Sequence, residues 1–419
     1  MSNYYKRYAD KEIEQKLKTS GAVLVEGPKF CGKTTTCMRY QKSFIKLNTK
    51  GSIALARLDP KSALDGATPH LIDEWQTVPD IWNQVKNNLD ADYQFGKFIL
   101  TGSTTPISED DIFHSGAGRI TPITMRTMSL FESKESSGEI SLKKLFDGED
   151  FKTRKNENFT LDDVIFLMQR GGWPISVLAD KSISLEVTKN YCSSLFMFEN
   201  SENGTFRNKR PELMRSILKS LARNISTSTP HTTIINDLTD YTIDPKTYTD
   251  YYDALKDLFI IEELPAWSPN IRSKTAIRTT PVRHFIDTSI ACNALGISAE
   301  DFKRDLNTFG LFFEDFALRD LSIYARAIGG NVKYYHDNAG LECDAIVTLE
   351  NGDWGAVEIK LGGEELIEKG ASSLKLLRRK IVEKSSEKTP KFLMILTAFG
   401  PAYKREDGIF VVPINMLKD

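Results

Sequence analysis

The tightest constraint on this chain lies in one stretch, Val23–Thr34, which reads V-L-V-E-G-P-K-F-C-G-K-T. The apolar run Val23–Val25 predicts a short buried strand. Gly27 and Gly32 then bracket a tight loop that ends in Lys33 and Thr34. The spacing is G-x-x-x-x-G-K-T, the pattern of a phosphate-binding loop when a strand precedes it and a helix follows. Glycines at these places let successive backbone N–H groups converge on phosphate oxygens with no Cβ in the way. Lys33 supplies a point charge for the β- and γ-phosphates, and Thr34 a hydroxyl for Mg²⁺. The candidate ATP-binding segment is therefore Gly27, Pro28, Lys29, Phe30, Cys31, Gly32, Lys33, Thr34 and Thr35. A helix is expected over Thr35–Lys42, with a shorter amphipathic one over Tyr4–Thr19. A glycine turn that binds nothing is the plain alternative, and the strand–loop–helix context argues against it.

Three further segments complete the expected sheet. Ile53–Leu58 (I-A-L-A-R-L) reads as a second strand. His70–Gln76 (H-L-I-D-E-W-Q) runs from apolar residues into an acidic pair. At the end of such a strand Asp73 is placed to hold Mg²⁺, and Glu74 to polarise the attacking water. Lys97–Ser103 (K-F-I-L-T-G-S) ends in Thr101 and Ser103, either of which can bring a hydroxyl between the catalytic acid and the γ-phosphate. Arg119 and Arg126 are candidates for reaching the γ-phosphate of a neighbouring subunit, although an arginine here is more often a surface or ion-pair residue. Strands separated by helical segments imply a parallel α/β sheet with its ligand at the C-terminal strand ends. The polar stretch S-K-E-S-S-G-E-I (133–140) marks a boundary, so the first domain is taken as residues 1–132 and a helical linker or lid as 133–226. Trp173, in G-G-W-P, reads as a packing anchor.

Residues 227–300 give the order helix, short helix, helix, hairpin, which is that of a winged helix–turn–helix. Asp244–Pro245 is a helix start. The hairpin segment 270–283 holds Arg272, Lys274, Arg278 and Arg283 with no acid, a candidate DNA-contacting wing. Against base reading, the helix that would enter the groove carries Asp250, Asp253 and Asp257. A winged helix used for packing or protein contact is the equal alternative.

Residues 301–419 hold a second constellation. Glu314 is an acid on an apolar helix beginning at Phe309. Leu341–Leu349 and Ala356–Lys360 read as strands joined by the turn N-G-D-W-G. Alternation puts Glu358 and Lys360 on one strand face. Asp344 lies on the preceding strand. Asp344 and Glu358 are candidates to chelate a divalent cation across the hairpin, with Lys360 acting on the attacking water, an arrangement suited to phosphodiester hydrolysis. The plain alternative is a hairpin with ordinary surface charges. Lys375, Arg378, Arg379 and Lys380 follow on a basic helix.

Composition sets limits rather than a function. A net charge of −2 over 419 residues excludes a general polyanion-coating protein, so a nucleic-acid surface has to be local. The five cysteines show no C-x-x-C spacing, which argues against a zinc site or disulfide framework and for a reducing cytoplasm. No run of about 18 apolar residues predicts a membrane span.

In this order and over this length, G-P-K-F-C-G-K-T, L-I-D-E-W-Q, L-T-G-S and V-E-I-K resemble prokaryotic AAA-type ATP-binding proteins fused to an uncharacterised C-terminal region. The resemblance implies an α/β AAA-type P-loop NTPase domain, then a helical and winged-helix region, then an α/β restriction-nuclease-like domain of the PD-(D/E)XK kind. It puts the P-loop lysine and threonine on Lys33 and Thr34, the Walker B acids on Asp73 and Glu74, and the nuclease-like residues on Asp344, Glu358 and Lys360. Thr101 or Ser103 takes the sensor position of the AAA arrangement. The proline of the nuclease motif is missing, since Cys343 precedes Asp344. Homo-oligomeric rings are common among AAA domains, and no residue here fixes assembly. Two functions follow: an ATPase that couples nucleotide state to nucleic-acid binding, with cleavage as a further candidate activity, or a nucleotide-gated protein- or DNA-binding module whose nuclease-like domain is inactive.

Overall fold

The computed structural model describes residues 4–103, 116–195, 209–269, 279–384 and 389–419. Five parallel strands form the N-terminal sheet: β1 (Ala22–Glu26), β2 (Ser43–Lys46), β3 (His70–Asp73), β4 (Phe98–Gly102) and β5 (Ile120–Thr124), in the order β2-β3-β4-β1-β5. Every residue of β3 and β4 is buried, as a parallel sheet covered on both faces requires. The register Val23↔Ile99 and Val23↔Thr121 seats β1 between β4 and β5. The C-terminal ends of β1, β3 and β4 therefore emerge side by side, and each is followed by polar sequence.

Two local expectations are corrected. Ile53–Leu58 is not a strand: Lys50–Leu58 is a helix, and the second strand is the S-F-I-K run at Ser43–Lys46. Thr49 caps the helix by accepting the Ser52 N–H at 3.2 Å, a start signal that lies upstream of the apolar run itself. Ile53 and Ala56, three apart, face the core, leaving Leu55 and Leu58 exposed. The helix after the phosphate loop is also shorter than expected, Lys33–Cys37 rather than Thr35–Lys42. Three consecutive threonines, Thr34–Thr36, are weak helix formers.

β6 (Ile140–Ser141) leaves the first sheet and pairs with the last strand of the chain, β15 (Leu417–Lys418). Helices Leu161–Arg170, Lys181–Ser194, Pro211–Arg223, His231–Asn236 and Pro245–Asp257 follow, then the antiparallel pair β7 (Ile261–Leu264) and β8 (Val282–Phe285). Pro211–Arg223 buries Leu213, Ile217, Leu218 and Leu221 along one stripe. Asp244 caps the helix at Pro245 by accepting the N–H groups of Lys246 and Thr247 at 2.9 and 3.0 Å. The outer face of that helix exposes Asp250, Asp253 and Asp257.

The C-terminal sheet has six strands: β9 (Gly330–His336), β10 (Glu342–Leu349), β11 (Trp354–Lys360), β12 (Leu393–Thr397), β13 (Tyr403–Lys404) and β14 (Phe410–Pro413), in the order β13-β14-β12-β11-β10-β9. Helix Leu306–Ala327 covers one face and helix Glu364–Lys384 the other. A single apolar core runs from Leu130 to Leu417. The helix Leu306–Ala327 ties its parts together. Asp315 accepts the Phe285 N–H at 2.7 Å, and Asp320 accepts the Leu130 N–H at 2.8 Å. Arg319 lies between Asp287, at 3.2 Å, and Asp320, at 2.7 Å, all three buried. Such a buried ionic group is costly to desolvate and stands only because each carboxylate has further donors.

Candidate functional site

The phosphate loop leaves β1 at Gly27, whose φ of 143° and closeness to the Met125 carbonyl exclude any side chain. A Cβ there would lie 2.1 Å from that oxygen. Phe30 takes a left-handed φ of 63°, and Gly32 a φ of 102°. Lys33 is buried, and its ammonium donates to the Gly27 and Pro28 carbonyls, each at 2.8 Å. These are neutral acceptors that a phosphate can outcompete, so the charge stays available to a ligand.

Asp73 ends β3 beneath the loop. The Thr34 hydroxyl donates to Asp73 Oδ1 at 2.7 Å, and the Thr101 hydroxyl from β4 donates to the same oxygen. Glu74, one residue on, turns into the left-handed region at φ 60°. That turn aims its carboxylate away from the strand, where Gln76 Nε2 donates to Oε2 at 2.6 Å and Ser103 Oγ at 3.3 Å. Ser103 thus reaches the acid and lines the cleft, whereas Thr101 sits one layer below under Asp73. The cleft over the loop has a volume of about 710 Å³ and is lined by Lys33, Thr34, Glu74 and Ser103 at one end. Its other walls include Tyr4, Tyr5, Arg7, Pro174, Ile175 and Leu178, so the N-terminal segment and the helical region both border it.

Neither candidate arginine reaches this cleft within its own chain. Arg119 pairs with Asp90 at the N-terminal end of β5, the end of the sheet opposite the loop. Arg126 forms a two-pronged ion pair with Glu262 of β7, one prong at 2.6 Å.

In the C-terminal sheet, Asp344, Glu358 and Lys360 come together. The pairing of β10 with β9 is irregular between Cys343 and Ile346, a bulge that re-aims Asp344. Lys360 Nζ lies 2.8 Å from Asp344 Oδ2 and 2.7 Å from Glu358 Oε2. Asp344 Oδ2 also accepts the Ile359 N–H at 2.6 Å, and Glu358 Oε1 accepts the Ser373 hydroxyl at 3.0 Å. Burial, reinforced by the Asp344 charge, pushes the Glu358 carboxyl up to about 7. Burial and the same Asp344 charge hold the Glu314 carboxyl well above the usual range. Burial alone would lower the Lys360 ammonium's pKa, but its two carboxylate neighbours reverse this and leave it raised. The ammonium fills the place between the carboxylates that a cation would take. Among the described residues no group of three or more His, Cys, Asp or Glu is arranged to hold a metal ion. As arranged, this donor set does not fit a divalent cation.

Of the wing, Arg272, Lys274 and Arg278 lie outside the described residues. The expectation for Arg283 is corrected. It is buried, donates to the Thr229 carbonyl and packs over the Tyr252 ring, so it cannot face a phosphate backbone. On the basic helix, Lys375 pairs with Asp407 at 3.1 Å and Lys380 with Asp337, while Arg378 and Arg379 are exposed.

Comparison with known proteins separates the chain into three matches. Residues 19–134 match the family model described as an AAA domain. Residues 19–134 are a P-loop ATPase domain. Residues 161–301 and 309–417 match two further models, each described as a domain of unknown function (DUF8612 and DUF4143). Uncharacterized proteins of Mycobacterium tuberculosis and Mycobacterium bovis are each 23% identical over 394 residues, covering 92% of this chain and 81% of theirs. Among solved structures, the Walker-type ATPase of Pyrococcus abyssi aligns with a TM-score of 0.46 at 14% identity, over 71% of this chain and 97% of that one. AMPPCP-bound DnaA from Aquifex aeolicus aligns with a TM-score of 0.26 at 14% identity, over 60% of this chain and 88% of that one. Among the described residues, no helix is long and apolar enough to cross a membrane.

Arg7, Tyr191, Asp287 and Arg319 belong to no recognisable motif. The only signals were the aromatic–basic run Y-Y-K-R-Y and the G-G-W-P glycines, where a Cβ on Gly172 would lie 2.1 Å from the Met128 carbonyl.

Proposed function

We propose that this chain is a cytoplasmic Mg²⁺-dependent ATP hydrolase whose nucleotide state governs contact with nucleic acid through its remaining domains. One observation carries the reading: Thr34, Asp73 and Thr101, from three separate segments, converge beside Lys33 and Glu74 at the strand ends. Lys33 would exchange its two carbonyl partners for the β- and γ-phosphates. Glu74, with one oxygen held by Gln76, would orient a water in line with the γ-phosphorus and accept its proton as the bond to the ADP oxygen breaks. Ser103 lies beside that acid to bond the transferring group. The Thr34 hydroxyl and Asp73 carboxylate are hard oxygen donors that suit Mg²⁺. Bound there, the ion would offset charge on the phosphate oxygens. The direct test is Glu74→Gln, which should bind ATP as the parent does and stall hydrolysis. Full turnover in that variant would end the proposal.

The order of elements from Pro211 to Phe285 supports a winged helix, and its exposed aspartates disfavour base reading by the second long helix. Contact with DNA is assigned to segment 270–278 and the exposed Arg378 and Arg379. Duplex affinity should then fall steeply with salt, and charge reversal within 270–278 should flatten that slope.

For the C-terminal domain the Lys360 bridge favours a nuclease-like fold that does not cleave in this arrangement. A plasmid-nicking assay with Mg²⁺ or Mn²⁺ decides this: nicking that disappears in Asp344→Ala would restore the cleaving enzyme.

A further inference from the structure

Two peptide planes of the phosphate loop are gripped from outside the loop. The Tyr191 hydroxyl donates to the Lys29 carbonyl at 3.2 Å, and Arg7 Nη1 donates to the Cys31 carbonyl at 2.9 Å. In a trans peptide the C=O and the next residue's N–H point in opposite directions. Holding the Lys29 carbonyl outward turns the Phe30 N–H to the other side, and holding the Cys31 carbonyl does the same for the Gly32 N–H. We propose that Tyr191 and Arg7 are positioning residues for ATP, which aim the Phe30 and Gly32 N–H groups into the phosphate cradle. The inference rests on the nucleotide-site reading above.

Both grips are themselves anchored. The Tyr191 ring packs at a tilt of 47° against Trp173, with centroids 4.3 Å apart, and meets the ring of the left-handed Phe30 edge-on at 5.7 Å. Trp173 is fully buried and donates its indole N–H to Ser289 at 2.9 Å; Ser289 in turn bonds Asp287 at 2.6 Å, within the buried Arg319 group. Arg7 is buried, pairs with Glu132 at 3.1 Å and also donates to the Arg126 carbonyl at 2.9 Å. Tyr191 belongs to the helical region, so the loop's shape depends on a part of the chain outside the ATPase domain. Docking of that region and affinity for the triphosphate are then coupled.

Tyr191→Phe removes only the hydroxyl and keeps both ring contacts. Steady-state hydrolysis should give a KM for ATP raised about tenfold, the equivalent of one hydrogen bond, with kcat within about twofold. The urea midpoint should stay that of the parent, and the affinity for AMP, which lacks the β- and γ-phosphates, should not move. Arg7→Lys, which keeps the charge but cannot span both carbonyls, should raise KM in the same way. An unchanged KM in Tyr191→Phe overturns the inference, and so does an equal loss of ATP and AMP affinity. A parent protein that binds no ATP would instead overturn the nucleotide-site reading, a result distinct from both.

Discussion

Both ends of this molecule set a lysine near an acidic pair, yet the two lysines are held in opposite ways. Lys33 rests on two neutral carbonyls, while Asp73 is satisfied by the hydroxyls of Thr34 and Thr101. Lys360 sits directly on Asp344 and Glu358. A cation held by carbonyls keeps its charge for a ligand. A cation held by two carboxylates has spent it, and those carboxylates are closed to a metal as well. The same residue types therefore make a site poised for phosphate at one end and an internally neutralised cluster at the other.

The largest expected effect tests the open lysine. Lys33→Ala should lower the ATP turnover rate at least 100-fold, about 2.7 kcal/mol of barrier, and weaken ATP binding. Its unfolding midpoint should stay near the parent's, because only neutral carbonyls lose a partner. Turnover measured alongside urea unfolding checks both halves, and a large loss of stability would erase the contrast between the two lysines.

Lys360→Met is the converse experiment. It leaves two mostly buried carboxylates facing each other without a cation. Breaking a buried pair costs about 3–5 kcal/mol, and with side-chain exposures of 21% for Lys360 and 18% for Asp344 the expected cost is reduced. A loss of about 2 kcal/mol by urea denaturation is expected after this allowance for solvent screening. A variant as stable as the parent would mean that the bridge is incidental.

The closed cluster should also titrate. Glu358 is raised in the folded state to about 7, above an unfolded value of about 4.3. The folded protein then binds more protons in that window, so the contribution of Glu358 to stability is full below about pH 4.3 and is lost as pH rises through about 7. Relative to the parent, Glu358→Gln should gain stability between pH 5 and 7.5. Unfolding free energies at several pH values would measure this, and parallel curves for the two proteins would contradict it.

The contrast also explains what could be read in the chain beforehand. The phosphate loop was legible because its glycines, lysine and threonine act within one short stretch, where spacing alone fixes geometry. Asp73 was legible as the polar end of an apolar strand. The Lys360 bridge was not, since D-x13-E-x-K gives the residues but not whether the lysine faces its acids or a ligand. Arg7 and Tyr191 were hidden for a different reason: they act through backbone carbonyls, which carry no sequence mark. Arg283 looked like a surface cation in a basic run, and only the packing of Tyr252 and Thr229 shows it to be internal. The helix at Lys50–Leu58 was hidden because its start rests on a single cap, Thr49, while the short apolar run I-A-L-A-R-L fits a strand equally well.

The smallest effect concerns the join between the two halves. Arg126 and Glu262 link the end of β5 to the hairpin strand β7, with side-chain exposures of 20% and 29%. A two-pronged pair of this kind is worth about 1 kcal/mol or less when solvent reaches it. Arg126→Ala should therefore barely move the urea midpoint. If the hairpin answers to the nucleotide site, the same variant should reduce the difference in duplex affinity measured with and without ATP. Arg126 joins the two sides through its backbone carbonyl, held by Arg7, and its guanidinium, held by Glu262. Loss of the guanidinium alone leaves the loop-side contact intact, so an altered KM for ATP in this variant would mean that the ion pair steadies the phosphate loop rather than passing its state onward.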